Sequence, residues 1–325
     1  MARLGRREFL GAAATLAAAG VLYRIQPWAA SPGRGGLQRT LDGKTCVVTG
    51  ATSGIGAVTA LELARLGATV VVAGRSAARC EARVEAIRRE TGTRPMAVVA
   101  DLASQDQVRR MAAEISSLCP RIDVLVNNAG TYLFDRTLTP ERLEKTYAVN
   151  YLSHFLLTNL LLGRLAASPS ARVVCLSSEA HREGRLDFDN LQGERHYDRL
   201  EAYSRSKLAM LLFTYELSRR LGGSSFAANA VHPGVVATNL GSENGPLRGW
   251  LRVRVRNLVD RSMISPEEGA RTSILLASAT SLEGVTGRYF DQGREVRSSP
   301  ASYDQELARR LWVVSEGLVG LGAPG

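Results

Sequence analysis

Tyr203 and Lys207 stand at i and i+4 in Leu200–Leu221, a stretch whose apolar pattern predicts a helix, so both side chains share one face. Such a pair can move a proton. A free tyrosine has a pKa of about 10, and lowering it to about 7 requires roughly 4 kcal/mol of preferential phenolate stabilisation. The Lys207 ammonium is one cation able to supply it. Tyr203 would then take the proton of an alcohol, or give one to a carbonyl. Ser178, closing an apolar run, could hydrogen-bond and orient the reacting oxygen. Taken alone, a Tyr/Lys pair at this spacing is more often a surface pair. The ligand decides.

That ligand is indicated by Thr49-Gly50-Ala51-Thr52-Ser53-Gly54-Ile55-Gly56, which follows the first apolar run and opens the first helical pattern. Glycines there allow a tight turn and close approach of a pyrophosphate, while the helix N-terminus offers free N–H groups and partial positive charge. Three residues separate the first two glycines, a spacing unlike the common GxGxxG. At the end of the second run an acid would bind the adenosine ribose and repel a 2′-phosphate. Ala73-Gly74-Arg75 has no acid and offers a guanidinium instead, which favours NADP(H) over NAD(H). The oxidised nicotinamide of that cofactor would be a second cation for the Tyr203 phenolate.

These residues need elements to hold them. Lys44–Gly50, Ala68–Arg75, Pro95–Leu102, Ile122–Asn128, Ala171–Ser178 and Phe226–Pro233 are short, continuous apolar runs, as strands buried on both faces require. Helical patterns alternate with them: Ile55–Leu66, Ala77–Glu90, Gln105–Leu118, Pro140–Ala166 and Leu200–Leu221. Ser104 and Thr139-Pro140 read as helix starts, Gly67 and Gly222 as stops. The expectation is a single α/β domain with a doubly wound, Rossmann-type parallel sheet over residues 37–325.

The motifs at 49–56, Asp101-Leu102, Asn127-Asn128-Ala129-Gly130, Asn150, Ser178, Tyr203–Lys207 and Pro233-Gly234 together resemble the short-chain dehydrogenase/reductase superfamily, in its order. Leu61–Arg65, His154–Thr158, Val231–Val236, Gly184–Asn190 and Arg309–Trp312 resemble its retinol dehydrogenase branch. Thr52 and Tyr151 depart from that branch, which usually has Asn and His; Tyr151 would alter the pocket or a helix contact. The resemblance implies Ser178, Tyr203, Lys207 and Asn150 as catalytic, Lys207 also holding the nicotinamide ribose and Asn150 joining a water-linked proton relay. It implies cofactor contacts at Gly50, Thr52, Ser53, Gly54, Ile55, Gly56, Arg75, Leu102, Asn128, Ala129, Gly130, Pro233, Gly234 and Thr238. Asp101 reads either as an adenine-contacting acid or as a helix cap. Residues 239–263 read as a substrate lid, or as a basic amphipathic stretch on a membrane surface.

The composition excludes several classes. Of a net charge of +10, +4 falls in the first 36 residues and the rest is spread without a Lys/Arg run, so no nucleic-acid partner is expected. Cys46, Cys80, Cys119 and Cys175 have no ligand spacing, the four histidines form no cluster, and no metal is expected. Arg6-Arg7 before an apolar run, Phe9–Tyr23, resembles a twin-arginine export signal, followed by a linker to residue 36. As a helix this run spans about 22 Å, short of the roughly 30 Å hydrocarbon core. Export, a marginal membrane anchor and a frayed helix of a cytoplasmic protein remain the readings. The expected function is NADP(H)-dependent interconversion of a lipophilic alcohol and its aldehyde or ketone, with a homo-oligomer as one assembly open to it. A non-catalytic NADP(H) sensor and a reductase of a ring double bond are the alternatives.

Overall fold

The computed structural model describes residues 40–222, 226–236 and 263–321. The strands are β1 Thr45–Thr49, β2 Thr69–Gly74, β3 Met96–Val99, β4 Val124–Asn127, β5 Arg172–Leu176, β6 Ala227–His232, β7 Tyr289–Asp291 and β8 Arg294–Glu295. They form one sheet in the order β3-β2-β1-β4-β5-β6-β7-β8. Every pairing up to β7 is parallel, and β8 closes the edge antiparallel. The order reverses between β1 and β4, the switch point at which such sheets bind ligands.

Alternate residues of each strand face opposite ways, and both faces are covered. Val47, Val71, Leu125 and Val173 join one core with helices α3 (Gln105–Leu118), α4 (Ser153–Ala166), α5 (Arg199–Arg220) and α7 (Gln305–Val319). Cys46, Val48, Val70, Val126 and Val174 join the other, with α1 (Gly54–Arg65), α2 (Ala77–Thr91) and α6 (Pro266–Ser278). This two-sided burial is why the strands read as unbroken apolar runs. Each fully buried Val or Leu contributes roughly 1.5–3 kcal/mol. All four cysteines are free and buried, in keeping with inert thiols.

The expected helix Pro140–Ala166 is corrected. Thr139 and Leu143 close a turn on each other's backbone (2.8 Å), and Arg142 takes φ 62°, which no helix accommodates. Helical structure begins only after Glu144, whose carboxylate caps the amides of Thr146 and Tyr147 at 2.8 and 2.7 Å. One turn, Lys145–Tyr147, passes into a π-turn at Ala148–Leu152 and then into α4. Tyr151 leaves that π-turn away from the cleft and bonds Ser315 on α7 at 2.7 Å, so its contact is with a helix, not a pocket. Ser104 does start α3, its hydroxyl accepting from Gln107 N–H at 3.4 Å.

Candidate active site

The C-terminal ends of the strands open onto a cleft of about 500 Å³. The loop from Gly50 to Gly56 forms its floor, with positive φ at Gly50 (66°) and Gly54 (54°). At Gly56 a Cβ would sit 2.3 Å from Asn128 Nδ2 and 2.5 Å from the Gly50 carbonyl oxygen, so only glycine fits. Ser53 begins α1 without a side-chain cap, and no acid lies in the first turn. The helix thus aims unsatisfied N–H groups and its positive end at the cleft. This is a cradle for an anionic phosphate group.

Thr49 ties the cradle to the next loop. Its hydroxyl oxygen accepts from Asn128 N–H (2.9 Å) and Ala129 N–H (3.0 Å), and Asn128 Nδ2 donates to the Thr49 carbonyl at 2.7 Å. Thr52, Ser53, Ile55, Asn128, Ala129, Gly130, Pro233 and Gly234 all line the same cleft, as does Leu102. Arg75 lies at the mouth beyond β2 with Arg79, which the sequence reading missed. The signal was Ser76, whose hydroxyl caps α2 through the Arg79 amide and so starts a helix that returns that residue to the cleft. Asp101 lines the cleft, while the cap of α3 falls to Ser104; the Asp101 Oδ1 accepts from Ala103 N–H at 2.9 Å in the turn before that helix.

At the other end, α5 carries Tyr203 and Lys207, and Ser178 follows β5 in extended backbone. Ser178 and Tyr203 line the cleft together, and the Tyr203 ring meets the edge of Tyr132 at 5.3 Å between ring centroids. Lys207 Nζ lies 5.6 Å from the Tyr203 centroid and donates to the Leu176 carbonyl at 3.0 Å. Burial pushes Tyr203 up to about 12, an effect that neighbouring Ser178 offsets only in part. Burial also brings Lys207 down to about 8. The phenol near 7 that the chemistry calls for is therefore not set by Lys207 alone, because its ammonium is engaged by a carbonyl.

Asn150 sits in the π-turn beside the cleft, not in its lining. Its side chain is spent on neighbours: Oδ1 accepts from Thr131 N–H (2.7 Å), while Nδ2 donates to the Thr131 carbonyl and to Ser206 Oγ (both 3.0 Å). Buried His154 bridges this turn to the cradle, with Nε2 at 3.1 Å from Thr49 Oγ1 and Nδ1 at 3.3 Å from the Asn150 carbonyl. Burial holds the imidazole down to about 4, so it is neutral. The sequence marked this histidine as the start of a branch motif, His154–Thr158, and as one of four histidines without a cluster, but gave it no role in the site. Among the described residues no group of three or more His, Cys, Asp or Glu could hold a metal. Thr238 and all but the last residue of the expected lid, residues 239–263, lie outside the described residues, as do Arg6-Arg7.

A doubly wound sheet with a phosphate cradle at its switch point and a Ser/Tyr/Lys group beside it defines a dinucleotide-dependent oxidoreductase. The family model for short chain dehydrogenase matches residues 44–247. Human Retinol dehydrogenase 14 is 44% identical over 304 residues, covering 89% of this chain and 90% of its own. Human Retinol dehydrogenase 13 is 45% identical, covering 88% and 87%. An uncharacterised protein from Mycobacterium Paratuberculosis has the same fold, with TM-score 0.71, 36% identity and coverage of 88% and 96%. A short chain dehydrogenase from Shigella flexneri, solved complexed with NADP, gives TM-score 0.64 at 25% identity, covering 79% of this chain and all of its own. The chain belongs to the short-chain dehydrogenase/reductase family, in its retinol dehydrogenase branch.

Proposed function

We propose that this protein interconverts a lipophilic alcohol and its aldehyde or ketone with NADP(H), Tyr203 acting as the general acid/base. The observation carrying this reading is the convergence of Ser178, Tyr203 and Lys207 on one end of a cleft whose other end is a phosphate cradle, with Lys207 Nζ 5.6 Å from the Tyr203 ring centroid. Relatives named retinol dehydrogenases support a lipophilic substrate. Arg75 and Arg79 at the cleft mouth, with no acid at the end of β2, support the 2′-phosphorylated cofactor.

The glycine cradle fits that dinucleotide, since a Cβ at Gly56 would break the loop packing that leaves the α1 amides open. When bound, it supplies or accepts the hydride and, oxidised, adds a positive charge. In reduction Tyr203, protonated at neutral pH, gives its phenolic proton to the carbonyl oxygen that Ser178 holds. Lys207 stabilises the phenolate that remains. The test is a panel of straight-chain aldehydes, ketones and retinal offered to the full-length chain in mild detergent, followed by NADPH oxidation. Turnover of at least one apolar carbonyl is expected; no turnover across the panel, with NADPH bound, would refute the reading.

For the N-terminus, we propose export or membrane attachment through residues 1–36, leaving residues 37–325 as the enzyme domain. The twin-arginine pair and the apolar run behind it support this. Among the described residues no helix is long and apolar enough to cross a membrane.

A further inference from the structure

We propose that His181 is a positioning residue that sets the orientation of Ser178. The inference rests on the reading above, in which Ser178 holds the substrate oxygen.

His181 lies one turn beyond Ser178, in the short helix Glu179–Glu183, and is fully buried. Its Nε2 lies 2.9 Å from the backbone nitrogen of Ser299, which is 118 residues away in sequence. An amide can only donate, so Nε2 accepts and the ring proton resides on Nδ1. Nδ1 in turn lies 2.6 Å from the Ser178 carbonyl oxygen, and must donate to it. That oxygen also accepts the His181 backbone N–H at 3.0 Å. The backbone bond alone would close the turn. The imidazole adds a second, stiffer constraint from a ring held edge-on to Tyr289, 5.0 Å between centroids. Burial keeps the imidazole below its ordinary value and so in the neutral form that can both donate and accept.

The far end of this clamp is anchored to the helix that carries the proton donor. Ser298, beside Ser299, bonds the Tyr215 hydroxyl at 2.8 Å, and Tyr215 lies on α5 with Tyr203 and Lys207. Ser302 ties the segment together through Ser298 Oγ and the Ser299 carbonyl, both at 2.6 Å. His181 therefore spans two supports, the Ser178 turn and a segment fixed to α5. It sets how Ser178 and Tyr203 meet without touching substrate itself.

Three variants separate this role from a merely structural one. Asn at 181 keeps an N–H where Nδ1 stood but is too short to reach Ser299. Gln reaches toward Ser299 but loses the bond back to Ser178, and Leu loses both. With retinal or the best aldehyde of the panel, His181→Gln and His181→Leu should lower kcat about 10- to 100-fold, the scale of a small misplacement of a reacting group. NADPH affinity should stay within about two-fold, because the cradle lies at the other end of the cleft. His181→Asn should keep kcat within about five-fold of the parent, although its Tm falls, since the bond to Ser178 is retained. In the Ser178→Ala background, His181→Gln should change kcat by less than about two-fold.

A kcat that follows Tm across the three variants, regardless of the side-chain donor, would overturn the proposal. Independently of any variant, ¹⁵N NMR of the wild-type protein should show the His181 proton on Nδ1; a proton on Nε2 contradicts it. Ser178→Ala, assayed in parallel, keeps the two ideas apart. If Ser178→Ala retains full kcat, the reading of the site fails. If Ser178→Ala is crippled while His181→Gln is not, only the role of His181 fails.

Discussion

Lys207 holds its ammonium over the Tyr203 ring, 5.6 Å from the centroid, while its hydrogen bond goes to the Leu176 carbonyl. The pair thus works through space, by charge. Burial brings Lys207 down to about 8 and pushes Tyr203 up to about 12, so between these values the phenol is protonated and the amine neutral. Below about 8 the ammonium is present to stabilise the phenolate left after proton donation; above it that help is lost. Carbonyl reduction should therefore decline as pH rises through about 8. Lys207→Arg, which keeps its charge at any accessible pH, should remove that limb while lowering the overall rate. A wild-type rate independent of pH between about 6 and 9.5 would contradict the coupling.

Cofactor choice should respond to Arg75, which lines the cleft mouth where an acid would select NAD(H). Arg75→Asp should weaken NADPH binding by roughly 10- to 150-fold, from a charged contact contributing on the order of 1.5–3 kcal/mol. NADH should gain relative to NADPH. Fluorescence titration of the wild-type protein is the first check, and equal affinities for the two cofactors would sink the assignment without a mutant.

Asp123 should be a stability determinant with a defined pH signature. Its buried carboxylate accepts from Thr45 N–H at 2.9 Å and Ser168 Oγ at 2.7 Å, with Lys44 at 3.5 Å and Arg121 at 3.2 Å. Burial raises its pKa, but these four partners outweigh it and the net shift is downward. The folded state thus prefers the ionised form, and the stabilisation is present above the ordinary value and lost as pH falls through the lowered one. Asp123→Asn should cost about 1–3 kcal/mol at pH 7. Urea midpoints at neutral and acid pH should show the gap between wild type and variant narrowing on acidification. A gap of constant size would mean the charge is not what Asp123 contributes.

The N-terminal proposal is tested by replacing Arg6 and Arg7 with Lys. Transport by a twin-arginine route should stop, whereas simple membrane anchoring should barely change. Fractionated cells carrying the double change decide between them: an unaltered distribution means that the arginines are not an export signal.

The parallel sheet was legible because Val47 and Val48, or Val70 and Val71, are buried on opposite faces and leave the runs unbroken. Its last two strands were not, being only three and two residues long. Their one signal is Gln292-Gly293, both at positive φ, the turn that joins them. The glycine loop, Ser178, Tyr203 and Lys207 were legible because each needs a particular residue type at a fixed place. His154 and His181 were not, since each acts through a partner far along the chain, Thr49 and Ser299, and Arg79 reaches the cleft only through the helix that Ser76 starts. The start of the helical structure leading into α4 was misplaced because Pro140 suits a tight turn as well as a first helical turn. Glu144, four residues later, supplies the cap that decides it.

The proton donor is the centre of the account, and Tyr203→Phe addresses it alone, removing one oxygen from a ring that otherwise packs as before against Tyr132. Turnover of the best carbonyl substrate with NADPH should be abolished, while NADPH binding by fluorescence titration stays close to wild type. A variant that retains more than about a tenth of wild-type activity would contradict Tyr203 as the acid/base, since removing a positioned proton donor costs roughly 10²–10⁴-fold.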